Sequence, residues 1–472
     1  ERLCRDLALL TNDAGRLEPL NQALSTLLVE SGRGEAAQDL LRHQIETQTN
    51  AVVEGSGRVD DRLGLARAAL PMGRVHRRAG RHDEALAEFT KAIEALEPLV
   101  AEGSSEPPIR LELSRALTDR AASRRALHQN EAAEADLKRV VALLEPIAGN
   151  ATETEAASTV PSVAGSLARA WAALGDLAWD RGEPDVARDA YQRALADRRR
   201  ADLATRPGEG DESFAASVSS DPDEAADLVA ADGPALLARL ARVARLGGLN
   251  DEADALLAQA VEARTRQLGD LVATPGGDSL DPLPSDLDAT QRARLLDLSA
   301  VLDQWAELLA ERERAADSER RHRQAMANLI RMVKTRPDDA EARQALAATR
   351  SDLARRSFDA GTPVEAEPLA QQAIQTLRAL ADASPNAVVH NPTLVADLAK
   401  AEWHLSLCLE AQGKIVRAEE AALAAYDRLD ALAQAHADDA TPRVLLAAVS
   451  NQLGGLRSRS NQNREAVKFL TR

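Results

Sequence analysis

The chain is 472 residues long and carries 58 Lys and Arg against 75 Asp and Glu, a formal net charge of −17. That acidic surplus repels a phosphate backbone and argues against general nucleic-acid binding. Hydrophobic residues make up 44% but aromatics only 2%, and Ala and Leu dominate. This mixture suits close-packed helices and argues against a β or α/β core.

The two cysteines, Cys4 and Cys408, stand at opposite ends and form neither a disulfide framework nor a zinc spacing. No stretch approaches the ~18 consecutive apolar residues of a membrane helix, and ERLCRDLALL lacks the plan of a signal peptide. The expectation is a protein that does not insert in a membrane, with a cytoplasmic location favoured. A start at Glu1 inside a helix-like stretch predicts a piece of a longer polypeptide.

In chain order, a phrase recurs in which a turn residue and a few polar residues precede an Ala that opens an amphipathic helix. It is weak in GRGEAAQDLL at 32–41 and clear in GRHDEALAEF at 80–89, QNEAAEADL at 129–137 and GEPDVARDAY at 182–191. It returns in LNDEADALL at 249–257, TPVEAEPLA at 362–370, KIVRAEEAAL at 414–423 and NREAVKFL at 463–470. A degenerate copy is expected at 288–335 around Trp305 and Ala315. Each copy ends one helix and begins another, with Gly, Asn or Pro at the reversal and acid where a helix N-terminus favours it. The unit is therefore a helix hairpin. Its second helix is exemplified by Ala253, Leu256, Leu257, Ala260 and Val261, one stripe at helical spacing. The preceding helix presents Leu236, Leu240 and Val243, with Arg239, Arg242 and Arg245 interleaved.

The segment AWAALGDLAWDRGEPDVARDAYQRAL resembles the tetratricopeptide (TPR) repeat, with Trp171, Leu174, Gly175, Ala187, Tyr191 and Ala194 in register and Ala178 in place of the usual Tyr. Gly73, Ala85, Phe89 and Ala92 match in the second copy, and Leu453, Gly454, Ala466 and Leu470 in the last. The resemblance implies an all-α α-solenoid, a right-handed superhelix of about eight or nine antiparallel hairpins. Anchor alanines Ala85, Ala132, Ala187, Ala253, Ala366, Ala418 and Ala466 are far more widely spaced than the ~34 residues of a standard repeat. Longer helices and mobile loops at 101–108, 149–162, 206–223 and 273–289 are expected to take up the surplus. The chain then divides into hairpins at 1–205, an acidic loop at 206–223, a hairpin at 224–272, a Gly/Pro/Asp-rich loop at 273–289 and hairpins at 290–472.

Such long-period hairpins are similar to the regions that follow Ser/Thr kinase domains in some planctomycete-type bacterial signalling proteins. No Gly-rich phosphate loop, H-R-D or D-F-G stands in this sequence, so any kinase domain would lie outside it. The eight histidines form no H-E-x-x-H pattern, and His404 and Cys408, one helical turn apart, lack a third ligand. No catalytic residue, metal site or cofactor is expected, and Cys408 reads as core beside a partly exposed His404.

In TPR proteins the first helices of the hairpins line a concave groove for extended peptides. The register set by Ala85 places Arg67, Arg74, Arg77 and Arg78 there, with Arg124 and Arg125 in the third copy and Arg242 and Arg245 in the fifth. Trp179 maps to the same surface as a candidate peptide anchor, with inter-repeat packing as its structural alternative, while Trp171 and Trp403 read as core. Guanidinium forks suit carboxylates, so a protein or peptide partner with acidic or C-terminal carboxylate groups is expected; helix-surface pairing with Glu explains the same arginines without a ligand. The expected function is a non-catalytic binding scaffold. A recruiting segment of a larger kinase and a self-assembly module are the alternatives.

Overall fold

The computed structural model describes residues 41–459, apart from 44, 51, 53–58, 102–106, 151–152, 205–228, 230, 273–280, 385–387, 389–390 and 437–440. The copy at 32–41 up to residue 40, the last copy with Ala466 and Leu470, Cys4 and the loop at 206–223 lie outside the described residues. Among the described residues every regular element is a helix. The chain forms two units, Glu1–Leu249 and Asn250–Arg472.

In the first unit α1 (Val59–Arg78) pairs with α2 (His82–Ala101), α3 (Pro107–Ala126) with α4 (Asn130–Asn150), and α5 (Glu153–Asp180) with α6 (Pro184–Ala204). Helix α7 (Gly233–Leu246) follows and packs on α6. The second unit opens with α8 (Asn250–Leu268) and a 3-10 turn at Gly269–Leu271. Three hairpins come next: α9 (Ala289–Glu311) with α10 (Ala315–Thr335), α11 (Ala340–Asp359) with α12 (Pro363–Asp382), and α13 (Pro392–Ala411) with α14 (Ile415–Ala435). Helix α15 (Thr441–Arg459) packs on α14. Within each unit every hairpin leans on the next, the linear succession expected of TPR-like repeats.

One turn geometry makes the reversals. At Gly182 φ is 74°, and its amide donates to the Trp179 carbonyl at 2.9 Å while the Glu183 amide donates to that of Ala178 at 2.9 Å. This is the paired C-terminal cap that satisfies the last carbonyls of a helix and favours glycine at the left-handed position. His128 and Glu313 hold the same position without being glycine, at φ 58° and 59°. The fifth residue beyond the left-handed position is always small and closed off from solvent: Ala85, Ala133 and Ala187 in the first unit, Ala253, Ser318, Ala366 and Ala418 in the second. One expected anchor is thereby corrected, Ala133 replacing Ala132, and in the degenerate copy the buried place falls to Ser318 while Ala315 is exposed, because a non-glycine reversal hid the register in both.

Opposite each anchor helix the partner must also be small where an aromatic ring lies across it. Gly73 faces Phe89 and Gly175 faces Tyr191, both rings wholly buried. Leu96, Leu113, Leu117, Leu137 and Leu144 fill the wedge between these hairpins, each such burial contributing ~1.5–3 kcal/mol. In the second unit Leu377 and Leu398, then Leu429 and Leu453, do the same.

Two of the expected mobile loops are partly structured. Helix α4 extends to Asn150 and α5 already begins at Glu153, so most of 149–162 is helical. The acid- and alanine-rich run outweighs Pro161, which α5 carries in its interior. Of the loop at 273–289, residues 281–288 are pinned. Leu283 and Leu287 are buried, the Leu283 amide donates to Thr335 Oγ1 at 2.7 Å, and Asp288 closes a capping box with Gln291 at the start of α9.

Candidate functional site

The helical period fixes which residues of a first helix share a face. On α3 these include Arg115, Asp119, Ala122 and Arg125, and on α5 Arg169, Ala173 and Asp176. With Arg74 and Arg77 of α1 and Arg239 of α7, they line a cavity of about 290 Å³. Its lining also includes small side chains, among them Ala122, Ala172, Ser114 and Ser166, beside the larger arginines. Six arginines and two aspartates thus meet in one cavity of a chain whose net charge is −17.

The two aspartates tie successive first helices together. Asp119 accepts from Arg74 Nε at 2.9 Å, with Arg77 at 3.9 Å from its other oxygen. Asp176 accepts from Arg239 at 3.0 Å and from the Tyr191 hydroxyl at 2.7 Å, and Arg125 lies 3.6 Å away while pairing with Asp180 at 2.7 Å. Burial, reinforced by the Asp176 carboxylate, pushes the Tyr191 phenol well above its ordinary pKa, so it stays a hydrogen-bond donor. Guanidinium groups held this way are pre-oriented, because their side-chain freedom is spent before any ligand arrives.

Counting back from the corrected anchors, Arg67, Arg115 and Arg169 fall at the same position of α1, α3 and α5. Arg115 pairs one turn back with Glu112 at 3.0 Å, and Arg169 donates to Ser166 Oγ at 3.2 Å. These two cavity arginines, and Arg239, escaped the choice of candidates from sequence. For Arg115 the missing signal was the true register of its hairpin, hidden by His128 in place of glycine, whereas Arg169 and Arg239 precede the correctly read anchors Ala187 and Ala253.

Of the sequence candidates, Arg74, Arg77 and Arg125 line the cavity. Arg124 turns instead toward its own hairpin, donating to Asp136 at 2.6 Å and to the Ala132 carbonyl at 3.1 Å. Arg67 is exposed on α1, and the side chain of Arg78 lies outside the described residues. Trp179 is half-buried, and its ring carries the Arg242 guanidinium 4.0 Å from the centroid, a cation–π contact between α5 and α7. This places Trp179 in packing between neighbouring repeats. Arg245 is half-buried at the end of α7. Trp171 is also only half-buried, under Arg193 at 4.6 Å, and Trp403 is half-buried.

First helices of the second unit bring half-buried aspartates into their contacts. Asp303 of α9 bonds His322 Nδ1 at 2.8 Å and Thr349 Oγ1 at 2.5 Å. On α11 and α13, Asp352 pairs with Lys400 at 2.8 Å, and Asp397 accepts from Gln344 at 2.8 Å. Burial raises the pKa of both Asp303 and Asp397. His404 is not partly exposed as expected but buried, with Nδ1 2.8 Å from the Ser351 hydroxyl and 2.9 Å from the Ser351 carbonyl. Burial lowers its pKa to about 4 and raises that of the buried Cys408 thiol to about 11, leaving an uncharged imidazole and an unreactive thiol. Among the described residues no group of three or more His, Cys, Asp or Glu is placed to hold a metal ion. Nor is any described helix long and apolar enough to cross a membrane.

Residues 168–196, which contain Gly175, the reversal at Gly182, Ala187 and Tyr191, match the family model of the tetratricopeptide repeat. The chain carries a tetratricopeptide repeat. The other described hairpins share its left-handed reversal and its small buried anchor residue. No curated protein matches the chain. Among solved structures it is similar to BtubC (BKLC) from P. vanneervenii, at 15% identity over 63% of this chain and 90% of that one, with a TM-score of 0.42. A Rap protein complexed with Competence and Sporulation Factor is 12% identical over 93% and 99% of the two chains, TM-score 0.41. A human IFIT1 dimer with PPP-AAAA is 14% identical over 96% and 83%, TM-score 0.40.

Proposed function

We propose that this TPR-like array is a binding scaffold, and that the first-helix face of its first unit holds an extended peptide through acidic side chains or a C-terminal carboxylate. The observation that carries this is the gathering of six arginines from four successive first helices around one cavity, in a protein whose overall charge would otherwise repel such a ligand. Guanidinium forks match carboxylates two bonds at a time. Asp119 and Asp176 each contact two of these arginines, Arg74 with Arg77 and Arg125 with Arg239, and so fix them beside the cavity.

Affinity is expected to come from several modest contacts along a rigid surface, as in other hairpin arrays. The test is fluorescence anisotropy with labelled degenerate peptides containing either glutamate or glutamine at fixed positions, titrated with the whole chain. Binding of the glutamate peptides, weakened by added salt and by Arg115→Glu with Arg169→Glu, is the expected result. Equal binding of the two peptide sets removes the proposal.

A further inference from the structure

We infer that the cavity of the first unit is shaped for a doubly charged phosphoryl group on a peptide side chain, in preference to a carboxylate. This deepens the peptide-binding proposal and rests on it.

Charge is the first ground. The six arginines of the lining outnumber the four carboxylates named above that pair with them, Glu112, Asp119, Asp176 and Asp180, and a phosphorylated side chain, at about −1.5 to −2, answers that excess better than one carboxylate does. Geometry is the second. The arginines enter from four separate helices, α1, α3, α5 and α7. A carboxylate offers two oxygens in one plane, whereas a phosphoryl group offers three around a tetrahedral centre and can accept forks from separate helices at once.

Two hydroxyl groups of the lining are already spent on backbone carbonyls. Ser114 Oγ donates to the Leu111 carbonyl at 2.7 Å and Thr118 Oγ1 to that of Ser114 at 2.8 Å. Their protons are thus engaged by the helix, and recognition of the anion falls to the guanidinium groups. At about 290 Å³ the space also exceeds what a lone carboxylate fills, and the alanines of its lining leave room for the stem of a longer modified side chain. Arg115 and Arg169 are the informative pair. They stand at the same position of neighbouring first helices, and each is steadied from its own helix, Arg115 by Glu112 and Arg169 by the Ser166 hydroxyl.

The experiment uses three fluorescein-labelled degenerate peptide mixtures, identical except for a central serine, glutamate or phosphoserine, titrated by anisotropy against the whole chain. The phosphoserine mixture is expected to bind roughly tenfold tighter than the glutamate mixture, which in turn exceeds the serine one. Arg115→Gln with Arg169→Gln is expected to abolish the preference, and Arg115→Lys with Arg169→Lys to weaken it, because an ammonium group offers no fork. Circular dichroism and thermal melting establish that each variant is folded.

Glutamate binding as tightly as phosphoserine overturns the phosphoryl assignment and leaves the carboxylate proposal standing. Three equal affinities overturn both. A phosphoserine preference that survives both double substitutions overturns the location. Inorganic phosphate, followed by phosphorus NMR, separates the two sources of the anion. Binding of free phosphate as tight as that of the phosphoserine mixture overturns the peptide as its carrier.

Discussion

The ring of Tyr191 fills the space that a Cβ on Gly175 would need, since a methyl group built there would lie 2.5 Å from Cε1. The same closeness joins Gly73 to Phe89. Backbone and ring meet directly, which is how two long helices of one hairpin approach without a gap.

Gly175→Ala is therefore expected to destabilise the first unit by ~1–3 kcal/mol, the usual cost of overpacking. Gly165, on the same helix, is the control, because a methyl group there would meet nothing within 4 Å. Gly165→Ala is expected to be neutral or to stabilise by ~0.5–1 kcal/mol through helix propensity. Urea unfolding midpoints distinguish the two, and equal effects would remove the ring contact as the cause.

Asp176 receives Tyr191, Arg239 and Arg125. Asp176→Asn should lower stability by ~1–3 kcal/mol, and a double-mutant cycle with Arg239→Ala should show coupling of at least ~0.5 kcal/mol. Because the folded-state pKa of Tyr191 lies above its unfolded value of ~10, its contribution is complete below pH ~10 and is lost as pH rises further. An ultraviolet titration of the folded protein should find this phenol ionising later than a free tyrosine.

For His404 the sign is reversed. Its folded-state pKa of about 4 is below the unfolded 6.5, so its contribution is present above pH ~6.5 and is lost as pH falls toward 4. A shift of this size corresponds to ~3 kcal/mol. Thermal melts of the whole chain between pH 7 and about pH 4 should show a steep loss of stability in the wild type and a flatter one in His404→Gln. A flat wild-type profile would count against the buried, uncharged imidazole.

Arg124 and Arg115 separate stability from binding. Arg124, held between Asp136 and a backbone carbonyl, should cost ~1–3 kcal/mol when changed to Ala and leave peptide affinity unaltered. Arg115→Ala, which removes an exposed i,i+3 pair, should alter stability by no more than ~0.5 kcal/mol and weaken binding of an anionic peptide several-fold. Anisotropy titrations alongside urea unfolding read both quantities.

The hairpin plan was legible in the sequence because it rests on local chemistry. Glycine at the left-handed reversal and alanine five residues on mark Gly80 with Ala85 and Gly182 with Ala187 without reference to any distant residue. Where a histidine or glutamate takes that backbone position, at His128 and Glu313, the mark disappears and the register slips. That slip put Arg124 in the groove and left Arg115 out, whereas Arg169 stands eighteen residues before the correctly read Ala187, as Arg67 does before Ala85, and was open to the same reading. The ion pairs were not legible at all. Arg74 and Asp119, or Asp176 and Arg239, meet only once neighbouring hairpins have stacked, and no spacing along the chain announces them.

The arginine and aspartate rungs between successive first helices also make the hairpins of the first unit non-interchangeable. Asp119 answers α1, and Asp176 answers both α3 and α7, so each helix carries the complement of its particular neighbours. Deleting the α3–α4 hairpin would bring Arg74 and Arg77 up to helix α5 at a different height from the carboxylate they now meet. Modular trimming that succeeds in arrays of identical repeats would here leave charges facing the wrong rung, and the order of assembly is in that sense encoded side chain by side chain.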